Sequence, residues 1–190
     1  MRKIPIDIIT CPMWGAVKPK QGIQSCGKFR RFIFHHTAGH HHEISLPKNE
    51  SEKEAVRYAR DIQHFHMVGN GWIDSGHNFL VCRNGMILQG RWLTVSAIRA
   101  GHMVVSAHCP GQNEQIGIEH EHLGTELMTE AQRESSARLM AWCAQQSGYK
   151  KIPAVFPHKK FFSTSCPANL VKDIPIIKKR AEFLLHRSLA

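Results

Sequence analysis

Apolar positions fall in short runs, and their period changes along the chain. Phe32-Ile33-Phe34 is a continuous apolar triplet, read as a short buried strand that delivers His35 at its end. From residue 50 to about 66 the period becomes helical. Ala55, Tyr58, Ala59, Ile62 and Phe65 recur at three- and four-residue steps with charges between them. A turn follows at Gly69-Asn70-Gly71. The runs 78–82 and 86–88 then flank Arg83-Asn84-Gly85, and Asn-Gly between apolar runs is a strong hairpin signal. Residues 116–121 read as another strand. Period two puts Ile116, Ile118 and His120 on one face, and Gly117, Glu119 and Glu121 on the other.

Thr129-Glu130-Ala131-Gln132 carries a capping-box pattern and opens a helix to about residue 146, stopped by Gly148. Residues 173 to about 186 read as a basic amphipathic helix with Pro175 near its start. Residues 1–30, rich in Gly, Pro and Lys, read as an extended arm. Strands interleaved with helices predict an α/β protein with one mixed sheet and helices packed on it.

Composition narrows the class. The chain has 190 residues, 42% of them hydrophobic and 21% charged, as one globular domain requires. No apolar run approaches the roughly 20 residues that span a bilayer. The N-terminal stretch lacks the pattern of a signal peptide, which predicts cytoplasmic synthesis. Net charge is +10, which favours polyanions such as nucleic acid or the anionic bacterial envelope. The cations are dispersed, without a basic stripe interleaved with aromatics, so a nucleic-acid partner is not expected. Six cysteines include no C-x-x-C pair, and Cys82 and Cys143 sit in apolar stretches as core thiols. Whether Cys11 and Cys26 pair is open. The triplet His40-His41-His42 reads as a solvated loop.

The chemistry lies in three other positions. His158 and Cys166 stand eight residues apart, and His35 ends the Phe32-Ile33-Phe34 run. Two imidazoles and one thiolate are three zinc ligands, with the fourth tetrahedral position open for water. That is the pattern of a catalytic Zn2+ site and points to a metal-dependent hydrolase.

These residues stand in blocks. Trp14-Gly15-Ala16, Phe34-His35-His36-Thr37-Ala38-Gly39, Gly71-Trp72-Ile73-Asp74-Ser75-Gly76-His77-Asn78-Phe79, Ile116-Gly117-Ile118-Glu119 and His158 through Cys166-Pro167 follow in order. Together they resemble the zinc-dependent N-acetylmuramoyl-L-alanine amidases that share a fold with the peptidoglycan recognition proteins. The resemblance implies a central mixed sheet flanked by helices. It also implies Zn2+ on His35, His158 and Cys166, and hydrolysis of the amide between N-acetylmuramic acid and L-alanine in peptidoglycan.

The resemblance further makes Glu119 the general base. His77 stands where many members have a tyrosine, and Thr164 where some have a lysine; both are assigned to the catalytic set. His36 is read as a support for its neighbour. His102, with His108 as competitor, is matched to a substrate-groove histidine, and His120 points away from the site. Residues 31–172 form the expected amidase body, with 1–30 as an arm packed on it and 173–190 as a helix of the same domain. A monomeric endolysin, acting on the wall after release and drawn electrostatically to anionic envelope polymers, is the expected biology. A binding module without catalysis and a cytoplasmic muropeptide-recycling amidase are the alternatives; the intact Cys166 favours the enzyme.

Overall fold

The computed structural model describes residues 2–39 and 48–189, without the side chains of residues 48–50. The His40-His41-His42 triplet lies outside the described residues. In chain order the elements are α1 (Cys11–Trp14), β1 (Ser25–Cys26), β2 (Arg31–His36), α2 (Lys48–His64), β3 (Phe79–Val81), β4 (Ile87–Gln89), α3 (Thr94–Arg99), β5 (Met103–Val104), β6 (Ile116–His120), α4 (Glu130–Gln146), β7 (Ala154–Pro157) and α5 (Ile174–Leu189).

A five-stranded sheet in the order β4-β3-β6-β2-β7 carries the fold. β3, β6, β2 and β7 run parallel, and β4 is an antiparallel edge. The mixed sheet is the expected one. β1 and β5 form a separate antiparallel pair. The strand alternation decides the layers. Phe32, Phe34, Phe79, Val81, Ile116 and Ile118 pack with residues of α4 and α5, including Leu139, Ile177 and Leu185. Leu80, Cys82 and Leu88 pack with Ala55, Tyr58, Ala59 and Trp14 of α2 and the arm. Each large aliphatic buried in this way contributes about 1.5–3 kcal/mol.

The hairpin forms as its sequence dictates. Gly85 adopts φ +86° and donates to the Cys82 carbonyl at 2.9 Å. At α4, Thr129 Oγ1 accepts from the Gln132 N–H at 3.0 Å and the Gln132 side chain reaches back, so the capping box is complete. α5 runs to Leu189, beyond the expected residue 186. Arg180 grips Glu134 of α4 through two bonds of 2.8 and 3.0 Å. Among the described residues, no helix is long and apolar enough to cross a membrane.

One expectation is corrected. The arm is not wholly extended: α1 is a helical turn that buries Cys11 and Trp14, with the Trp14 indole donating to the Gln89 carbonyl at 2.9 Å. The open question of Cys11 and Cys26 is answered: both are free thiols. At the end of α2, residues 65–69 form a π-turn closed by the Asn70 N–H on the Phe65 carbonyl at 3.0 Å. Phe65, at the margin of the α2 apolar stripe, is 61% exposed, while His66, four residues after Ile62, is buried together with Met67.

Candidate functional site

The site forms on the α2 face, where the parallel strands end. This is the usual place for a site in an open α/β sheet. In the β2–β6 ladder His35 is the register partner of Glu119, so the two side chains stand side by side on one face. Pro157 of β7 is the partner of Phe34, which brings His158 alongside His35 as β7 ends. The chain then loops back, and the Lys159 N–H donates to the Cys166 carbonyl at 2.9 Å.

The structure brings His35, His158 and Cys166 together, with one donor atom of each within 4.8 Å of the others. Cys166 Sγ lies 3.9 Å from His35 Nδ1, and the His35 and His158 ring centroids are 4.3 Å apart. His158 Nε2 is buried and has no hydrogen-bond partner in the protein. Burial pushes the Cys166 thiol up to about 12, so it ionises at neutral pH only against a cation. The His36 N–H already points at Sγ at 3.4 Å, a donor suited to a thiolate. Burial, and then the neighbouring imidazoles of His77 and His108, hold His35 well below the usual histidine value and keep it neutral. Two neutral imidazoles, an orphan buried nitrogen and a thiol awaiting a cation fit a metal ion.

A second group lies beside the first. His77 Nδ1 is 2.7 Å from Glu119 Oε2, off the line of a well-formed hydrogen bond. Burial would raise the Glu119 carboxyl, but the charge and hydrogen-bonding capacity of His77 more than offset it. The net displacement is downward, and Glu119 is ionised at neutral pH. His66 completes the group, stacked on Trp72 with ring centroids 4.8 Å apart. By residue type these three could also hold a cation. His66 Nδ1, however, accepts the Gly76 N–H at 3.1 Å, so in the neutral ring Nε2 carries the proton and presents a donor. That tautomer suits proton handling rather than metal ligation.

The remaining sequence candidates separate. Thr164 Oγ1 accepts the Cys166 N–H at 3.2 Å and so braces the ligand loop. His120 points to the other face, where Nε2 meets Ser136 Oγ at 3.0 Å. His108, and not His102, is the histidine placed against His35, with His35 Nε2 and His108 Nδ1 2.9 Å apart. His102 stands between the turn after α3 and β5. His66 was missed by the sequence reading, although it continues the α2 stripe four residues after Ile62 and so falls on the buried face.

Buried neutral histidines set the acid stability. Burial first, with neighbouring cations, lowers His66 to about 4 and His120 to about 3. The unfolded chain takes these protons below its ordinary value of 6.5, while the folded chain does not. Stability is therefore complete above pH 6.5 and falls as the pH drops below it. At pH 5 the loss is about 2 kcal/mol for each of the two residues. Urea midpoints of chelator-treated protein at pH 7.5 and 5 measure this; equal midpoints would refute it.

Comparison with known proteins adds to this geometry. Residues 26–169 match the family model described as N-acetylmuramoyl-L-alanine amidase. The chain belongs to this amidase family. Peptidoglycan-recognition protein SC2 of Drosophila melanogaster is 25% identical over 164 residues, covering 85% of this chain and 80% of that protein. A human N-acetylmuramoyl-L-alanine amidase is 25% identical over 139 residues, 71% of this chain and 22% of the human one. A variant of Drosophila peptidoglycan recognition protein LB, solved in complex with tracheal cytotoxin, superimposes with a TM-score of 0.73 at 26% identity. That match covers 88% of this chain and 92% of the other. The family thus includes both amidases and recognition proteins, and the side chains at the site have to distinguish them.

Proposed function

We propose that this protein hydrolyses the amide bond between the lactyl group of N-acetylmuramic acid and L-alanine in peptidoglycan. Zinc would be held by His35, His158 and Cys166. The observation that carries the reading is a complete three-donor set whose His35 stands, on the adjacent strand, beside an ionised Glu119.

Each residue has a role in this reaction. When bound, zinc would polarise the scissile carbonyl and acidify a water molecule. Glu119 accepts the proton of the attacking water at a carboxylate oxygen, then returns it to the leaving amide nitrogen of L-alanine. His77 sets its Nδ1 2.7 Å from the carboxylate and stands beside His35, with ring centroids 4.5 Å apart. From there its ring can stabilise charge developing on the carbonyl oxygen. Thr164 acts one step away by fixing the backbone that presents Cys166.

The test is mass spectrometry of products released from purified sacculi. It compares protein as isolated, protein stripped with a chelator and protein restored with zinc. Free stem peptides beginning with L-alanine, lost on stripping and recovered with zinc, are the expected result. Intact sacculi despite bound zinc would replace the enzyme by a binding module, and glycan fragments would overturn the assigned bond.

A further inference from the structure

We propose that His108 is a positioning residue, which sets the tautomer and ring angle of the ligand His35. The inference rests on the metal centre proposed above. It follows from a chain of two hydrogen bonds. His108 Nε2 lies 3.2 Å from the carbonyl oxygen of Gln115. A carbonyl only accepts, so Nε2 carries the hydrogen. The neutral ring then offers Nδ1 as an acceptor. Facing it at 2.9 Å is His35 Nε2, which must be the donor. His35 Nδ1 is left with its lone pair free, and that is the atom 3.9 Å from Cys166 Sγ. The chain Gln115–His108–His35 therefore decides which nitrogen of His35 meets the metal.

Both ends of this relay are fixed. The Gln115 side chain accepts the Arg30 and Arg31 N–H groups at 2.8 and 3.1 Å, which ties the accepting carbonyl to the start of β2. The His108 ring packs closely against Gly117. A Cβ built there would stand 2.5 Å from His108 Cγ and Cδ2 and 2.9 Å from Nδ1. Gly117 has no positive φ that would call for glycine, so space for the ring is what its missing side chain provides. The two rings meet edge to face at 82°. Outer partners of this kind orient ligand histidines and raise their basicity.

Zinc affinity, measured by competition with a chromogenic chelator, tests the role without any activity assay. His108→Leu removes the acceptor and should weaken zinc by about 10–100-fold. His108→Asn keeps an oxygen where Nδ1 stood and should stay within a few-fold of wild type. The visible band of the cobalt-substituted protein should shift in the Leu variant and not in the Asn variant. Gly117→Ala, with His108 intact, should weaken zinc as well. Circular-dichroism melting of the metal-free forms establishes that each variant is folded. Wild-type affinity and spectrum in the Leu variant would overturn the proposal, as would an Asn variant as weak as Leu. A wild-type protein that holds no zinc would instead overturn the metal centre itself.

Discussion

Glu119→Gln should lower turnover by about 10²–10⁴-fold while zinc content and fold are kept. The substitution preserves shape and leaves an oxygen for His77 Nδ1, 2.7 Å away in the native protein. It removes only the ability to take a proton. The fold holds the Glu119 carboxyl below its ordinary value and so favours the ionised form, and the neutral variant should melt modestly below wild type while staying folded at the assay temperature. Loss of activity in folded, zinc-loaded protein separates a catalytic role from a structural one. The pH profile gives a second readout. His77 holds the carboxyl below its ordinary value against the opposing effect of burial. Activity that depends on ionised Glu119 therefore declines only below the usual carboxylate range, and the residual activity of the variant lacks that limb. Steady-state rates on soluble muropeptides, with zinc measured in the same samples, decide the matter. Turnover at the wild-type level would refute the assignment of Glu119 as base.

Much of this site was legible in the sequence because strand parity is a short-range rule. Alternation along 116–121 placed Glu119 opposite to His120, and the structure separates them in that way, with His120 bound to Ser136 of α4. The apolar triplet before His35 announced a buried strand, and Asn84-Gly85 announced the hairpin. The capping box fixed the start of α4. What was not legible depends on contacts distant in sequence. That His66 belongs to the site depends on its meeting Glu119 and His77 across the fold: its place four residues after Ile62 puts it on the buried face of α2, but that spacing does not say what lies opposite. The choice between His102 and His108 could not be made from spacing either. It depends on the gap left by Gly117, and on the Gln115 carbonyl beside it. In both cases the partner that fixes the imidazole is distant in sequence.

Cys166→Ser should abolish tight zinc binding, by more than the about 10–100-fold that outer partners of a ligand carry. The hydroxyl nearly matches the thiol in shape, so the metal-free protein should melt within a few degrees of wild type. What changes is the charge available to the metal. The native thiol is pushed up to about 12 by burial, and a cation together with the His36 N–H at 3.4 Å can draw it down to the thiolate. A serine hydroxyl ionises far less readily and stays neutral, leaving His35 and His158 as two neutral donors. Mass action then gives a second signature. A ligand that binds only the folded state adds RT ln(1 + [L]/Kd) to stability, about 2.7 kcal/mol at a hundredfold excess over Kd. Zinc should therefore raise the melting temperature of wild type and leave that of Cys166→Ser nearly unchanged at the same concentration. Equal zinc retention and an equal thermal shift in the two proteins would remove Cys166 from the ligand set. The metal would then have to be sought among His77, His66 and Glu119, against the tautomer that the Gly76 N–H imposes on His66.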